Sequence, residues 1–548
     1  MKEPLQVTVG GGDYTATLEQ LVSDRVASRI AAKDSTLWGD DAHSEAEVRL
    51  GWVGLHETSR PLLAEIDALR AELWGEGIDR VVLCGMGGSS LAPEVISRTF
   101  GCDLVVLDST APTVVGRALA GDLERTVVVV SSKSGGTVET DSQRRAFVRA
   151  FTEAGIDPAS RLVVVTDPGS PLSDLGRDEG YRKVFHADPH VGGRYSALTA
   201  FGLVPCGLAG VDVADLLDEA DEVAERLAAD DPDNPALRLG AWLGGTAGRD
   251  KALLADADSG IAGLPDWAEQ LIAESTGKRG LGVLPVALPG ESAPEVDQAA
   301  ADVLLGLLVP VDLHRGEGSD AAVNGIPTAR VSGPVGAQFL VWETAVAVAG
   351  RLIGINPFDQ PDVESAKAAA RGLLDAQPEP EPPTFVDGSV QVRGADDLLD
   401  GVDSLAGAVD AVLDRLGDDG YVAVMAYLDP EQAADLYAVR DTLAQRCRRP
   451  VTFGWGPRFL HSTGQYHKGG PPKGVFIQVT GALSDQQGDG QRGVEDVDIP
   501  DRPFTFGTLI AAQADGDAHV LAEHGLPILR LHVTELKAGL QQLQEALR

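Results

Sequence analysis

The sequence contains few cysteines and few basic residues, and both shortages restrict its function. Its 548 residues include only 4 cysteines, and Cys84, Cys102, Cys206 and Cys447 show no paired spacing. This argues against a disulfide framework and predicts buried free thiols in a reducing cytoplasm. Lysine and arginine number 45 against 83 acidic residues, so the net charge is −38. We therefore expect no nucleic-acid partner, because a basic surface is needed to bind a phosphate backbone.

Long apolar runs, a signal peptide and metal-ligand spacings are also missing from the sequence. Without a run of about 20 apolar residues we expect no membrane partner, and the cytoplasm is the expected location. No histidine pair with a nearby acid has the spacing of a metal site, so we expect a reaction without a metal or another cofactor. The acidic residues are spread along the chain, which is typical of a solubility or salt-adaptation surface.

The most informative stretch that is present is an apolar run, residues 127–130, with a polar loop directly after it. The run predicts a strand buried on both faces of a parallel sheet. The loop, Ser132-Lys133-Ser134-Gly135-Gly136-Thr137, is followed by a helical pattern from Val138. Backbone N–H groups, hydroxyls, a lysine and a helix N-terminus together suit a phosphate group. The loop lacks the residue order of a P-loop, so we predict a site for a single phosphomonoester.

A second loop of glycine and serine follows the preceding strand. Gly85 and Gly87 lie at its start, and Asp108 follows 23 residues after Gly85 (108 − 85 = 23), a spacing that also fits a dinucleotide site. However, Ser90 stands where the third glycine of that fingerprint is needed. We therefore rank a dinucleotide site below a sugar-phosphate site at the carboxyl ends of the strands.

Alternating strand and helix patterns predict an α/β fold with two doubly wound, parallel-sheet halves and a third, C-terminal α/β domain. The predicted divisions are a helical extension (1–60, with an amphipathic helix at 17–33), a first half with the phosphate loop (61–225), a second half (226–373), a linker rich in proline and acid (374–388) and the C-terminal domain (389–548). In the second half we predict a helix at residues 296–308. The long apolar helix predicted at residues 337–353 indicates either buried packing or a subunit contact, and the latter would make the protein a homodimer.

Five segments resemble motifs of the glucose-6-phosphate isomerase family, particularly the branch often found fused to transaldolase. They occur in the family's order between residues 85 and 367. The segments are Gly85-Met-Gly-Gly-Ser-Ser-Leu-Ala-Pro93, Ser132-Lys-Ser-Gly-Gly-Thr-Val-Glu-Thr140, Val191-Gly-Gly-Arg-Tyr-Ser196, Gln270-Leu-Ile-Ala-Glu-Ser-Thr-Gly-Lys278 and Asn356-Pro-Phe-Asp-Gln-Pro-Asp-Val-Glu-Ser-Ala-Lys367. The resemblance implies sugar-isomerase (SIS-type) halves and an enzyme that interconverts glucose 6-phosphate and fructose 6-phosphate in glycolysis and gluconeogenesis. The chain departs from the pattern at Gly136, where a threonine is more usual.

The resemblance also assigns roles to individual residues. Such an isomerase needs a base, a cation near the developing enediolate and a group that opens the sugar ring. Glu274 is the candidate base, and Arg194, which follows two glycines, is the candidate cation. The phosphate would be held by Ser132, Lys133, Ser134 and Thr137, and the sugar would contact Gly88, Ser89, Gln270, Gln360 and the catalytic Lys367.

The histidine that opens the ring has no clear counterpart between Glu274 and Gln360. The C-terminal domain contains a loop with two histidines, His461 and His467, which resembles the corresponding stretch of the transaldolase-fused branch. We choose His467, with His461 second, and expect it to act together with Lys367.

Two other functions stay open. A bifunctional enzyme that also accepts mannose 6-phosphate would share these motifs. A non-catalytic sugar-phosphate regulator would keep residues 132–137 but would not need Glu274, Arg194 or Lys367. Such regulators usually carry a DNA-binding segment, which this acidic chain lacks. A transaldolase activity is not expected, because a barrel of about 250 residues has no room before residue 60.

Overall fold

The computed structural model describes residues 4–311, 321–361, 363–376, 381–482 and 496–548. In these ranges the chain forms two five-stranded sheets and one six-stranded sheet, each covered by helices. The predicted α/β class with parallel sheets is confirmed.

The first 60 residues contain a strand as well as helices. The elements are β1 (Gln6–Gly10), α1 (Thr15–Ser23), α2 (Val26–Ala31), α3 (Asp40–Glu47) and α4 (Leu55–Thr58). The helix predicted at residues 17–33 is interrupted at Arg25, whose left-handed φ of 57° separates α1 from α2. The all-helical prediction is wrong for β1, which pairs with the second sheet and buries Val7 against its core.

Five parallel strands form the sheet of the first half. They are β2 (Arg80–Gly85), β3 (Leu104–Leu107), β4 (Thr126–Ser131), β5 (Leu162–Thr166) and β6 (Lys183–His186). Their order is β3-β2-β4-β5-β6, and every residue of the central β4 is buried, as predicted for its valine run. The helices of this half are α5 (Pro61–Gly75), α6 (Leu91–Phe100), α7 (Pro112–Leu119), α8 (Val138–Glu153), α9 (Pro171–Asp178), α10 (Ala200–Leu208) and α11 (Val213–Leu227).

The second half contains another sheet of the same kind. Its strands are β7 (Lys251–Asp256), β8 (Leu284–Ala287), β9 (Val303–Leu308) and β10 (Thr328–Ser332), and its helices are α12 (Pro235–Gly244), α13 (Leu264–Thr276), α14 (Pro294–Gln298), α15 (Val335–Ile353) and α16 (Val363–Ala376). The order is β1-β10-β9-β7-β8, with β1 antiparallel to the rest. The helix predicted at residues 296–308 is wrong beyond Gln298. Its last six residues form the central β9, because a short apolar run that is buried on both faces suits a strand.

The C-terminal domain has a mixed sheet. Its strands are β11 (Phe385–Asp387), β12 (Val390–Gly394), β13 (Tyr421–Tyr427), β14 (Val451–Trp455), β15 (Gly474–Gly481) and β16 (Ile528–Val533). The order is β11-β12-β16-β15-β13-β14, parallel except for β11 and β12. Its helices are α17 (Asp396–Leu399), α18 (Leu405–Leu413), α19 (Val439–Cys447), α20 (Gly464–Gly469), α21 (Phe506–Glu523) and α22 (Leu536–Ala546).

The C-terminal domain shares a hydrophobic core with each of the other two. Tyr421 and Phe476 pack in one core with Leu305 of the second sheet. Phe506, at the start of α21, packs in another with Phe147 of α8. This packing brings C-terminal side chains to the carboxyl ends of the strands in the first half.

Helix α15 is the long apolar helix that the sequence predicts. It is buried from Val335 to Gly350 and packs against α11 and α12, so buried packing within one chain explains its composition. No helix in the part of the chain that the structure describes is long and apolar enough to cross a membrane.

Candidate active site

The predicted phosphate loop connects β4 to α8 and is fastened to the end of β5. The backbone N–H of Ser132 donates to the carbonyl of Val165 at 3.1 Å. The hydroxyls of Ser132 and Thr137 lie 3.0 Å apart, and the backbone N–H of Gly136 donates to Ser134 Oγ at 3.2 Å. A cavity of about 270 Å³ opens beside the loop, between the first turns of α8 and α9. The loop therefore presents hydroxyls and a helix N-terminus together, as predicted.

Lys133 does not point freely into solvent. Its Nζ donates to Asp167 Oδ2 at 2.6 Å and to the carbonyl of Pro189 at 3.2 Å. Burial raises the pKa of Asp167, and the ion pair with Lys133 opposes that rise. The ammonium is thus held at the mouth of the loop by a carboxylate with which a phosphate would compete.

Glu274 lies in the last turn of α13 and is 4% exposed. Gln360 Nε2 donates to its Oε2 at 2.6 Å, and Arg194 Nη1 lies 3.4 Å from the same oxygen. Gln270, one turn earlier on α13, has its Nε2 at 3.4 Å from Glu274 Oε1. Four residues that the sequence predicts for the site therefore form one contact group around a buried carboxylate.

The guanidinium of Arg194 is fixed on three sides. Its Nε donates to Ser275 Oγ at 2.8 Å, and its Nη2 donates to the carbonyls of Pro357 at 2.7 Å and Asp359 at 3.1 Å. The side chain is 2% exposed. Arg194 thus holds the segment before Gln360 in place while one nitrogen faces Glu274.

Lys278, the last residue of the α13 motif, fastens the same segment from the other side. Its Nζ donates to the carbonyls of Asn356 and Asp359, both at 2.8 Å, and to Asp359 Oδ1 at 2.6 Å. Burial, together with the charge of Arg194, lowers the pKa of Lys278 to about 8. This lysine therefore holds in place the residue directly before Gln360.

Two glycines of the first Gly/Ser loop allow the surrounding loops to approach closely. A Cβ on Gly87, whose φ is +54°, would lie 2.8 Å from Gln270 Nε2 and 2.9 Å from His461 Cβ. A Cβ on Gly88 would lie 2.0 Å from the carbonyl oxygen of Gly193. Gly88 and the half-buried Ser89 therefore lie where the loop of Arg194 meets the first sheet.

His461 is the histidine that the structure brings to this group. It ends a short 3₁₀ turn, Arg458–His461, and its backbone carbonyl accepts from Gln270 Nε2 at 2.7 Å. Its ring Nε2 lies 3.1 Å from Glu139 Oε1, in the first turn of α8. The histidine thus connects the phosphate-loop helix with the helix of Glu274.

His467, our first choice from the sequence, has different surroundings. Its ring packs against Tyr421, Phe459 and Phe476 at centroid distances of 6.1, 6.2 and 5.3 Å. Among the described residues, neither ring nitrogen has a hydrogen-bond partner. Burial lowers its pKa to about 3. This neutral, enclosed ring is part of a hydrophobic core, so the geometry favours His461 as the proton-transfer group. Lys367 lies on α16, but its side chain is outside the described residues.

Two residues of the group were missed by the sequence analysis. Glu139 lies in the quoted phosphate motif, where an acid two residues after Thr137 was an available signal. Gln513 lies on α21, a helix without a distinctive motif, and its Nε2 donates to Glu139 Oε1 at 2.7 Å. The assembled group contains a buried carboxylate beside a guanidinium and, across Gln270, an imidazole beside a second carboxylate. Such a pair of acid–base centres can move protons at two positions of one small substrate.

One comparison decides the family. The probable glucose-6-phosphate isomerase of Natronomonas pharaonis is 31% identical over 410 residues, which make up 66% of this chain and 92% of that protein. The chain belongs to the glucose-6-phosphate isomerase family. The phosphoglucose isomerase family model matches residues 35–281, a range that contains the phosphate loop, Arg194 and Glu274. The glucose-6-phosphate isomerase of Synechococcus elongatus is 30% identical over 355 residues, 55% of this chain and 67% of that protein.

Two solved structures have a similar fold. A hypothetical protein from Thermus thermophilus is 26% identical with a TM-score of 0.58, over 68% of this chain and all of that one. A glucose-6-phosphate isomerase from Chlamydia trachomatis has a TM-score of 0.53 at 20% identity, over 67% of this chain and 85% of that one, which shows the shared fold. As a member of the glucose-6-phosphate isomerase family, the chain is an aldose–ketose isomerase, and the predicted enzyme class is confirmed.

Proposed function

We propose that the chain interconverts glucose 6-phosphate and fructose 6-phosphate through an enediolate, with its own side chains as the acid–base groups. The observation that carries this proposal is the buried Glu274 carboxylate, which contacts Arg194 and Gln360. A carboxylate that is held beside a fixed guanidinium can take a proton from one carbon and return it to the neighbouring carbon.

Glu274 removes the proton from C2 of the open-chain aldose and delivers it to C1. Arg194 stabilises the negative charge that develops on the oxygens, because its guanidinium stays protonated and is already oriented by Ser275 and two carbonyls. Gln270 and Gln360 hold the carboxylate between them and contact the sugar.

The phosphate binds to Ser132, Lys133, Ser134 and Thr137, with Gly88 and Ser89 against the sugar. Support comes from the paired hydroxyls of Ser132 and Thr137 at the start of α8. A bound dianion would take over part of the bond that Lys133 now donates to Asp167.

Ring opening is the task of His461, supported by Glu139, together with Lys367, whose part in this step is implied by the family resemblance. An imidazole that is hydrogen-bonded to a carboxylate is held in one orientation and can both donate and accept a proton. His467 keeps only a packing role in this proposal.

The direct test is the steady-state turnover of Glu274→Gln. We expect kcat to fall by about 10³-fold or more with KM roughly unchanged, because the amide keeps the shape but cannot take a proton. Glu153→Gln is the matched control, since it makes the same substitution at an exposed position, the last residue of α8. Normal turnover of Glu274→Gln would refute the proposal.

Deuterium incorporation from solvent into fructose 6-phosphate separates the enzyme from a non-catalytic regulator, which would give none. Parallel assays with mannose 6-phosphate separate a bifunctional enzyme, because that substrate has the opposite configuration at C2.

We also propose a cytoplasmic location, which the four unpaired cysteines support, two of them buried. The homodimer stays a prediction that sedimentation of the purified chain would test.

A further inference from the structure

The geometry points to Gln513 as a positioning residue for the ring-opening step. We infer that Gln513, which is hydrogen-bonded to Thr110, holds the Glu139 carboxylate in the one arrangement that orients His461. This inference rests on the proposed function of His461. It assigns to helix α21 of the C-terminal domain a role in the chemistry of the first half.

The contacts form one continuous series of hydrogen bonds across the domain boundary. Thr110 Oγ1 donates to Gln513 Oε1 at 2.7 Å, and Gln513 Nε2 donates to Glu139 Oε1 at 2.7 Å. His461 Nε2 lies 3.1 Å from the same Glu139 oxygen. One carboxylate oxygen therefore contacts both the amide and the imidazole.

The carboxylate of Glu139 fixes the orientation of the Gln513 amide. If the amide were reversed, its oxygen would face the carboxylate oxygen of Glu139, and the two acceptors would repel each other. The Thr110 hydroxyl fits the observed orientation, because it can donate to Gln513 Oε1. The Gln513 N–H is thus committed to Glu139.

Burial makes this hydrogen bond important. Thr110 is fully buried, and Gln513 and Glu139 are 3% and 5% exposed. Water cannot replace a lost donor there, and a buried carboxylate with fewer donors is driven towards its neutral form or another rotamer. With Nε2 directed at Glu139, Nδ1 of His461 is the nitrogen that exchanges a proton with the sugar ring oxygen.

The test compares Gln513→Leu with Gln338→Leu. Gln338 is a matched control because it is fully buried on α15, and its Oε1 accepts from Trp342 Nε1 at 3.2 Å. For Gln513→Leu we expect kcat with glucose 6-phosphate to fall about 10- to 100-fold, the usual effect of losing a group that orients a reactive one. Gln338→Leu should keep kcat within about threefold.

A second readout separates positioning from general loosening. A linear, five-carbon hydroxamate phosphate mimics the open-chain enediolate and needs no ring opening. Its inhibition constant should be the same within about twofold for Gln513→Leu and the unaltered chain. An equal weakening of this inhibitor and of kcat would overturn the inference in favour of a structural defect.

The closing experiment is a double-mutant cycle with His461→Ala. If Gln513 acts through His461, Gln513→Leu should lower kcat no further in the His461→Ala background. A full additional loss in that background would overturn the inference but leave the proposed function intact. If Glu274→Gln retained normal turnover, the proposed function itself would fail, so the two failures can be told apart.

Discussion

Arg458 connects the turn of His461 to the first half of the molecule, and its removal gives a quantitative test. Its Nη1 donates to Asp108 Oδ2 at 2.9 Å, and its Nη2 donates to Glu94 on α6. The three side chains are 25%, 13% and 22% exposed in the order Arg458, Asp108, Glu94. Burial disfavours the charge of Arg458, but Asp108 and Glu94 outweigh it and raise the pKa of the guanidinium.

The change Arg458→Met leaves two neighbouring carboxylates without their common partner. Two hydrogen bonds between charged groups contribute about 3–6 kcal/mol together. Because water reaches part of each group, we reduce this to about 2–3 kcal/mol, which corresponds to a Tm lower by roughly 2–3 °C for a chain of 548 residues. Unpaired, partly buried carboxylates bind protons more readily, so the loss should be smaller at pH 5 than at pH 8.

Thermal unfolding followed by circular dichroism measures the loss of stability. The turnover number kcat should fall as well, because His461 is only three residues away from Arg458. The matched control is Arg177→Met, because Arg177 pairs with Asp174 and Asp178 on an exposed surface, where such pairs contribute little. If Arg458→Met kept the Tm and kcat of the unaltered chain, the ion pairs of Arg458 with Asp108 and Glu94 would neither stabilise the fold nor position His461.

Three further predictions concern single residues. His467→Phe should keep turnover within about threefold and resist acid better. Below pH 6.5 this histidine binds a proton in the unfolded chain but not in the folded chain, where its pKa is about 3, so its presence lowers stability as the pH falls; a large loss of kcat would restore His467 to the mechanism. The pKa of Lys278 is about 8 in the folded chain and 10.5 when exposed, so between these pH values the unfolded chain binds one more proton than the folded chain. The urea concentration at the unfolding midpoint should therefore rise from pH 8 to 10.5, and a rise that persists in Lys278→Met would contradict this assignment. Gly136→Thr should lower KM several-fold by adding a hydroxyl, because the nearest atom to a Cβ there is Ser134 Oγ at 3.8 Å; a raised KM would show that the added side chain obstructs the loop.

Local sequence patterns were sufficient to predict much of the fold, the phosphate loop and the pair Gln270 and Glu274. The valine run of β4 and the hydroxyl loop after it were predicted because a buried strand and a phosphate-binding turn each leave a contiguous signature. Gln270 and Glu274 were found in the same way, since one helical turn places them on one face of α13. The failures in the fold, β1 and β9, are short strands whose neighbours in the sheet decide their conformation.

By itself the sequence determined which residues carry reactive groups, because each motif lies within a few consecutive positions. Only the tertiary structure decided which histidine joins them. Glu139 and His461 are 322 positions apart, and Glu139 and Gln513 are 374 apart, so no local pattern connects them. Their meeting depends on the packing of α21 against α8 in a shared core, and the same packing of the C-terminal domain encloses His467 among aromatic rings. Burial and distance, which follow from packing, gave the two histidines different surroundings: His461 lies beside a carboxylate, and His467 lies among aromatic rings.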